Sequence, residues 1–114
     1  MMTVEKRRHD RVPFTAKVDY FCWDKRKSAD ALEISPDGIF LRSQEVLPEG
    51  SMVTLRLALP GLARGFTVLG KVVHTVLGSA LKRRGMGISF LDIAPADRDR
   101  ILAYVAVRPR LAAA

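Results

Sequence analysis

The sequence has little of what several specialised protein classes need. Its 114 residues contain a single cysteine, Cys22, so no internal disulfide can form and nothing indicates a disulfide-built secreted fold. The cysteine and the two histidines show no metal-ligand spacing, and we expect no metal site. No segment approaches the roughly 20 uninterrupted apolar residues of a membrane-spanning helix. The first residues turn basic without a hydrophobic core, so we expect no secretory signal and a cytoplasmic location.

Aromatic residues are also scarce, with one Trp, two Tyr and five Phe. Barrels that bind single-stranded nucleic acid usually stack bases on surface aromatics, whereas Phe14, Phe40, Phe66 and Phe90 here are predicted core residues. Positive charge is plentiful, with 19 Lys and Arg against 12 Asp and Glu, a formal net charge of +7. This balance favours an anionic partner, but nucleic acid, a membrane surface, a phosphorylated small molecule and simple solubility all remain open.

Apolar periodicity and turn residues predict a mainly β chain that is closed by one helix. A helix is predicted from Pro95, with Ile101, Leu102 and Val105 as its apolar stripe and Tyr104 at the border. Residues 24–28 are predicted to form a solvated turn. The six predicted strands span residues 12–23, 29–35, 39–43, 52–59, 66–77 and 85–91. This pattern favours a small six-stranded antiparallel β-barrel with the C-terminal helix over one opening.

We expect one domain at this length, with a core large enough to fold without disulfides or metals. The predicted domain spans residues 12–108. A flexible basic arm, residues 1–11, precedes it, and residues 109–114 form a frayed tail.

The arm carries the first candidate binding motif. Arg7 and Arg11 lie four residues apart, about 13 Å along an extended chain at ~3.3 Å per residue, with Arg8 between them. A guanidinium group is a planar donor that matches phosphate oxygens or the O6/N7 edge of guanine. On its own the motif is weak, because basic N-terminal segments are most often simply solvated.

The second candidate motif is the segment from Glu33 through Ser35 to Gly38. Glu33 and Ser35 are two apart on a strand, so their side chains share a face. A carboxylate beside a hydroxyl can accept hydrogen bonds from the N1–H and the amino group of guanine, and a glycine lets a ligand approach the backbone. The simpler interpretation is a hairpin turn in which Ser35 bonds its own backbone.

Together the two motifs resemble those of the PilZ domain family, which has R-x-x-x-R followed by D/N-x-S-x-x-G. The resemblance extends over about residues 5 to 107, including the Gly85–Phe90 strand and the closing helix. It implies a six-stranded barrel that binds the bacterial second messenger cyclic di-GMP. It further implies an arm that becomes ordered on ligand capture and a signal to an unidentified downstream protein.

The resemblance assigns the ligand contacts residue by residue. Arg7 and Arg11, with Arg8 as a helper, are expected to contact phosphates and guanines, and the remaining contacts are expected from Glu33, Ser35 and Gly38. Glu33 departs from the family's Asp or Asn, and its extra methylene is expected to weaken or slightly displace the guanine contact. The expected cost in binding free energy is about 1 kcal/mol. Asp37 raises a second question, because its charge could repel phosphates.

Two alternatives stay open. A PilZ-like adaptor without ligand affinity would act through protein contacts, and Glu33 is the feature that would decide for it. A basic barrel that binds nucleic acid is less favoured, and we expect no nucleic-acid partner. No nucleophile, base and orienting group can be assembled from the sequence, so we expect no catalytic residues and no cofactor besides the cyclic di-GMP ligand. His74 is expected to be half-buried and hydrogen-bonded within its strand.

Overall fold

Six strands and one helix make up the described structure. A computed structural model describes residues 11–61, 64–77 and 84–108. The predicted arm up to residue 10 and the predicted tail, residues 109–114, lie outside this range, so both boundaries stay predictions. The elements are β1 (Val12–Cys22), β2 (Lys25–Ser35), β3 (Gly38–Arg42), β4 (Met52–Leu57), β5 (Phe66–Val76), β6 (Gly85–Asp92) and α1 (Pro95–Ala106).

The six strands close into an antiparallel barrel in the order β1-β2-β3-β6-β5-β4. Closure gives both edge strands a hydrogen-bonded neighbour, because β4 pairs with β1 through Tyr20 and Leu55 as well as with β5. The core is the barrel interior, where Val18, Leu41 and Val68 have no exposed surface. The predicted fold class, a mainly β six-stranded antiparallel barrel with one helix, is confirmed.

The first hairpin differs from the prediction. Residues 25–28 belong to β2 and do not form a solvated turn, because a two-residue turn, Trp23–Asp24, connects the strands and Cys22 pairs with Lys25. The polar side chains of this stretch stay exposed on the barrel surface, where Arg26 and Ser28 both donate hydrogen bonds to Asp19. The high polarity of residues 25–28 therefore indicates an exposed strand end and not a turn, and the prediction of a turn there is wrong.

Helix α1 begins at Pro95 as predicted, but its buried face is narrower than the sequence indicates. Ile101 and Val105 are buried, whereas Leu102 is exposed. Tyr104, predicted at the border of the stripe, packs edge-on against Phe14 with ring centroids 5.7 Å apart. The helix reaches the sheet through β2, which brings it close to the β2–β3 turn.

Candidate functional site

The second motif forms the hairpin corner between β2 and β3. Ser35 pairs with Gly38, so Pro36 and Asp37 make a two-residue turn. A β-bulge between Ala31 and Glu33 adds one residue to β2 just before the corner. Such a bulge re-aims the side chains that follow it. Glu33 and Ser35 line one cavity as a result, and they are the buried polar residues of the described chain, at 6% and 4% exposure.

Arg11 closes one side of this corner. Its Nη1 atom donates a hydrogen bond to Oε1 of Glu33 over 2.5 Å, and the two side chains are 26% and 8% exposed. A buried carboxylate without a partner is costly, so this ion pair explains how Glu33 can lie inside the protein. The Nε atom of Arg11 is buried and has no hydrogen-bond partner among the described residues.

The turn itself is fixed by hydrogen bonds in three directions. The backbone N–H of Asp37 donates to Oγ of Ser35 over 3.1 Å, as the simpler interpretation of Ser35 requires. The Asp37 carbonyl accepts from the N–H of Phe90 on β6 over 2.9 Å. Nη2 of Arg98 on α1 donates to the Asp37 carboxylate over 3.3 Å. Arg98 on the helix thus balances the negative charge of Asp37, which could otherwise repel phosphates.

Gly38 is required by the packing of β3 on β6. A Cβ atom at this position would lie 2.4 Å from the carbonyl oxygen of Ile88, which is backbone and cannot move aside cheaply. From the sequence, Gly38 was expected to let a ligand approach the backbone closely. The geometry supplies a sufficient structural reason for glycine here, although Gly38 also lines the cavity.

Two aromatic rings that the motifs did not indicate form another wall of the cavity. Phe40 and His74 flank Gly87 in register and stack with ring centroids 6.2 Å apart and an interplanar angle of 27°. A Cβ atom on Gly87 would lie 2.2 Å from the His74 ring. His74 is exposed, so the expectation of a half-buried histidine is wrong. The signal available in the sequence was Gly87, because a glycine within a strand lets a neighbouring side chain lie close to the backbone.

The corner cavity has a volume of about 180 Å³, and Arg11, Glu33, Ser35, Gly38 and His74 are among its lining residues. Four of the six predicted contact residues therefore meet at one place. The other two, Arg7 and Arg8, lie outside the described residues.

A larger surface groove of about 740 Å³ lies along β1, β2 and β3, and its two carboxylates, Asp30 and Glu45, are both paired. The Lys17 ammonium lies 3.0 Å from the Asp30 carboxylate and the Arg42 guanidinium 3.1 Å from it. Hydrogen bonds from Lys17 and then Arg42 hold the pKa of Asp30 below its usual range. Lys27 pairs with Glu45 in the same groove and lowers the pKa of that carboxyl. We take the smaller cavity as the candidate site, because the four described contact residues predicted from the sequence line it and none of them lines the groove.

The described residues form neither a membrane-spanning helix nor a cluster of metal ligands. None of their helices has the length and apolar character needed to cross a membrane. In the ranges 11–61, 64–77 and 84–108, no three His, Cys, Asp or Glu side chains are grouped so that they could hold a metal ion.

Solved structures share this fold at low sequence identity. Inhibitor of motility (MotI/DgrA) of Bacillus subtilis superposes with a TM-score of 0.76 at 18% identity, covering 90% of this chain and 50% of that one. This chain thus spans half the length of that protein. The PilZ domain of CeSA from a cellulose synthesizing bacterium gives 0.60 at 14% identity, covering 84% of this chain and 94% of that domain.

The PilZ domain of YcgR from Escherichia coli, solved with c-di-GMP, gives a TM-score of 0.63 at 12% identity and 90% coverage of both chains. No curated protein matches the sequence. The profile of the PilZ domain family matches residues 5–107, nearly the whole chain. The resemblance drawn from the two motifs is confirmed, and this chain belongs to the PilZ domain family.

Proposed function

We propose that this PilZ domain is a cyclic di-GMP receptor whose binding site is the corner between β2 and β3. The observation that carries the proposal is the convergence of Arg11, Glu33, Ser35 and Gly38 on one cavity, although Arg11 is 22 residues distant from Glu33 in sequence. The neighbour from E. coli was solved with c-di-GMP, which supports the same ligand class here.

The size of the cavity sets how the ligand would lie. About 180 Å³ is below the ~300–1,000 Å³ of pockets that enclose drug-sized ligands, so one guanine base can enter while the remaining nucleotide stays outside. The phosphates would then be available to Arg7 and Arg8 from the segment before β1. We propose that this segment folds over the ligand when it binds, which would give the domain a new surface for a downstream protein.

Arg11 and Glu33 would act as a unit in this site. Glu33 holds the guanidinium of Arg11, and the buried Nε–H of Arg11 is a donor available to an acceptor on the ligand. Guanine presents O6 and N7 as acceptors to an arginine, and its N1–H and amino group as donors to a carboxylate. A guanine base can therefore satisfy both members of the pair, whereas adenine offers the carboxylate an acceptor at N1.

The domain would be a binding module and not an enzyme, would act in the cytoplasm and would need no cofactor. The same fold would serve an adaptor without ligand affinity, and the Arg11–Glu33 pair favours that alternative if the pair keeps the corner closed to guanine. Ligand titration separates the two functions, because only the receptor binds cyclic di-GMP.

The deciding experiment is calorimetric titration of the purified chain with cyclic di-GMP. We expect saturable binding and its loss when Arg7→Ala and Arg11→Ala are combined. Arg100→Ala, on the exposed side of α1, is the matched control and should bind as the unaltered chain does. Absence of binding up to ~100 µM ligand, which corresponds to about 5.5 kcal/mol, would reject the receptor and leave the adaptor.

Cyclic di-AMP is the matched ligand control. It keeps the phosphates but would leave the buried carboxylate of Glu33 without a guanine donor, a loss of about 2–3 kcal/mol or roughly 30–150-fold in affinity. Equal affinity for both dinucleotides would contradict base recognition at the corner.

A further inference from the structure

The turn between β1 and β2 carries an exposed apolar surface that the proposed ligand site does not use. Trp23 is 92% exposed, and Phe21 and Met52 are 39% and 47% exposed. Phe21 pairs with Thr54 of β4, Met52 lies two residues before Thr54 on the same strand, and Trp23 follows Phe21 by two residues in the turn. We call Phe21, Trp23 and Met52 the hairpin tip.

Trp23 holds its position against two unfavourable factors. It is the non-glycine residue with positive φ in the described chain, at 61°. A tight hairpin turn with positive φ at its first central residue normally uses glycine there, and a bulky side chain is strained. The Trp23 ring is also not buried, so no packing in the folded barrel offsets the strain of its backbone. Backbone strain of this kind is concentrated at functional sites.

Cations border the hairpin tip. Lys25 directly follows the turn and is exposed, Arg26 lies opposite Phe21, and Lys71 lies opposite Met52. Asp24 lies in the turn, and Asp19 accepts a hydrogen bond from Arg26. Lys25 and Lys71 thus place positive charge beside the hairpin tip, and the whole chain has a net charge of +7.

Shape and chemistry together select the partner. A two-residue turn is convex and presents its ring outward, which suits insertion into a soft interface. Indole rings favour the headgroup level of a bilayer, where the ring is apolar and its N–H stays hydrated. Lysine and arginine stems lie along apolar surface while their charges reach anionic headgroups. We propose that the hairpin tip docks this domain on anionic phospholipid bilayers, with Trp23 at the headgroup level.

This docking is a peripheral surface contact and does not depend on the receptor function proposed above. Each cation near an anionic surface contributes about five-fold in affinity. Affinity should therefore fall as salt is raised, since salt screens exposed charges beyond about 10 Å at 0.1 M.

The test uses the full chain without cyclic di-GMP and two kinds of vesicle, pure phosphatidylcholine and an equimolar mixture of phosphatidylcholine with phosphatidylglycerol. Trp23 is the single tryptophan, so its emission reports directly on the hairpin tip. We expect co-sedimentation with the anionic vesicles only, together with a shift of the emission to shorter wavelength and protection from acrylamide quenching.

Matched pairs of variants assign the contact to the hairpin tip. Lys25→Glu should weaken binding more than tenfold, whereas Arg100→Glu, with the same change in net charge on α1, should change it less than threefold. Met52→Ser should weaken binding several-fold, and Leu102→Ser, also exposed, should not. Circular dichroism melts of all four variants establish that they remain folded.

Three results would overturn the proposal. The first is no sedimentation above the phosphatidylcholine level, which would leave the hairpin tip to a protein partner. The second is binding without any change in Trp23 emission. The third is equal loss in Lys25→Glu and Arg100→Glu, which would show that net charge alone attracts the chain to the vesicles.

Discussion

The ion pair between Arg11 and Glu33 makes a sharp prediction about how the corner binds a ligand. If Glu33 and Arg11 bind guanine as a unit, removing the charge of Glu33 should weaken cyclic di-GMP binding only while Arg11 is present. If Glu33 instead reads guanine independently, its loss should add to the loss of Arg11. A double-mutant cycle with Glu33→Gln and Arg11→Ala separates these mechanisms.

The magnitudes follow from the geometry of the pair. A hydrogen bond to a charged group contributes about 1.5–3 kcal/mol, and the lower end applies because the Arg11 side chain is 26% exposed. Gln keeps the length and a neutral acceptor, so Glu33→Gln should cost about 1 kcal/mol, or roughly five-fold in affinity. Arg11→Ala removes the donor itself and should cost about 2 kcal/mol, or roughly 30-fold.

The assay is calorimetric titration of the four proteins of the cycle under one buffer and salt condition. We expect the double variant to bind as weakly as Arg11→Ala alone, with a coupling energy of about 1 kcal/mol. Losses that add to within ~0.5 kcal/mol would refute the coupled mechanism and show that Glu33 contributes to binding independently of Arg11. Thermal melts of each variant control for loss of the fold.

The remaining predictions concern packing and charge. Gly38→Ala should lower the free energy of unfolding by ~2 kcal/mol and Tm by roughly 10 °C in a calorimetric melt, because its Cβ meets backbone of β6; an unchanged Tm would refute this. Gly87→Ala should cost less than about 1 kcal/mol, because the His74 ring can rotate away, while the NMR signals of that ring move; a destabilisation equal to that of Gly38→Ala would contradict it. The Asp30 carboxyl should titrate by NMR below its usual pKa, and Lys17→Ala should raise that pKa. The ion pair should then stabilise the fold above the ordinary carboxyl pKa and lose this effect as the pH falls through the lowered one. An Asp30 pKa at its ordinary value would contradict the ion pair with Lys17.

The fold could be predicted from the sequence wherever apolar alternation and turn residues agreed. The turn at Pro36 and Asp37 and the helix start at Pro95 both lie where the sequence indicated. The start of β2 could not be predicted, because residues 25–28 are polar and only pairing across a tight turn makes them a strand. Tertiary pairing overrides local composition in such segments.

Four of the residues that line the candidate site could be named from the sequence, but their arrangement could not. Spacing placed Glu33 and Ser35 on one face, and the bulge and the depth of burial became visible only in the barrel. The wall formed by Phe40 and His74 was missed, because it depends on two strands that flank a third. Residues from neighbouring strands meet through register, which a single sequence does not reveal.

The Arg11–Glu33 pair also fixes where the chain enters the barrel. Val12 pairs with Ile34 and Pro13 with Glu33, so the start of β1 already lies beside the end of β2. Arg11, one residue earlier, then reaches diagonally to Glu33 and ties this entry point to the rim of the cavity. A buried carboxylate holds its cation far more firmly than an exposed one would, because leaving it unpaired is costly. Arg11, the first described residue, therefore lies at the rim of the proposed ligand cavity and is held there by the burial of its partner.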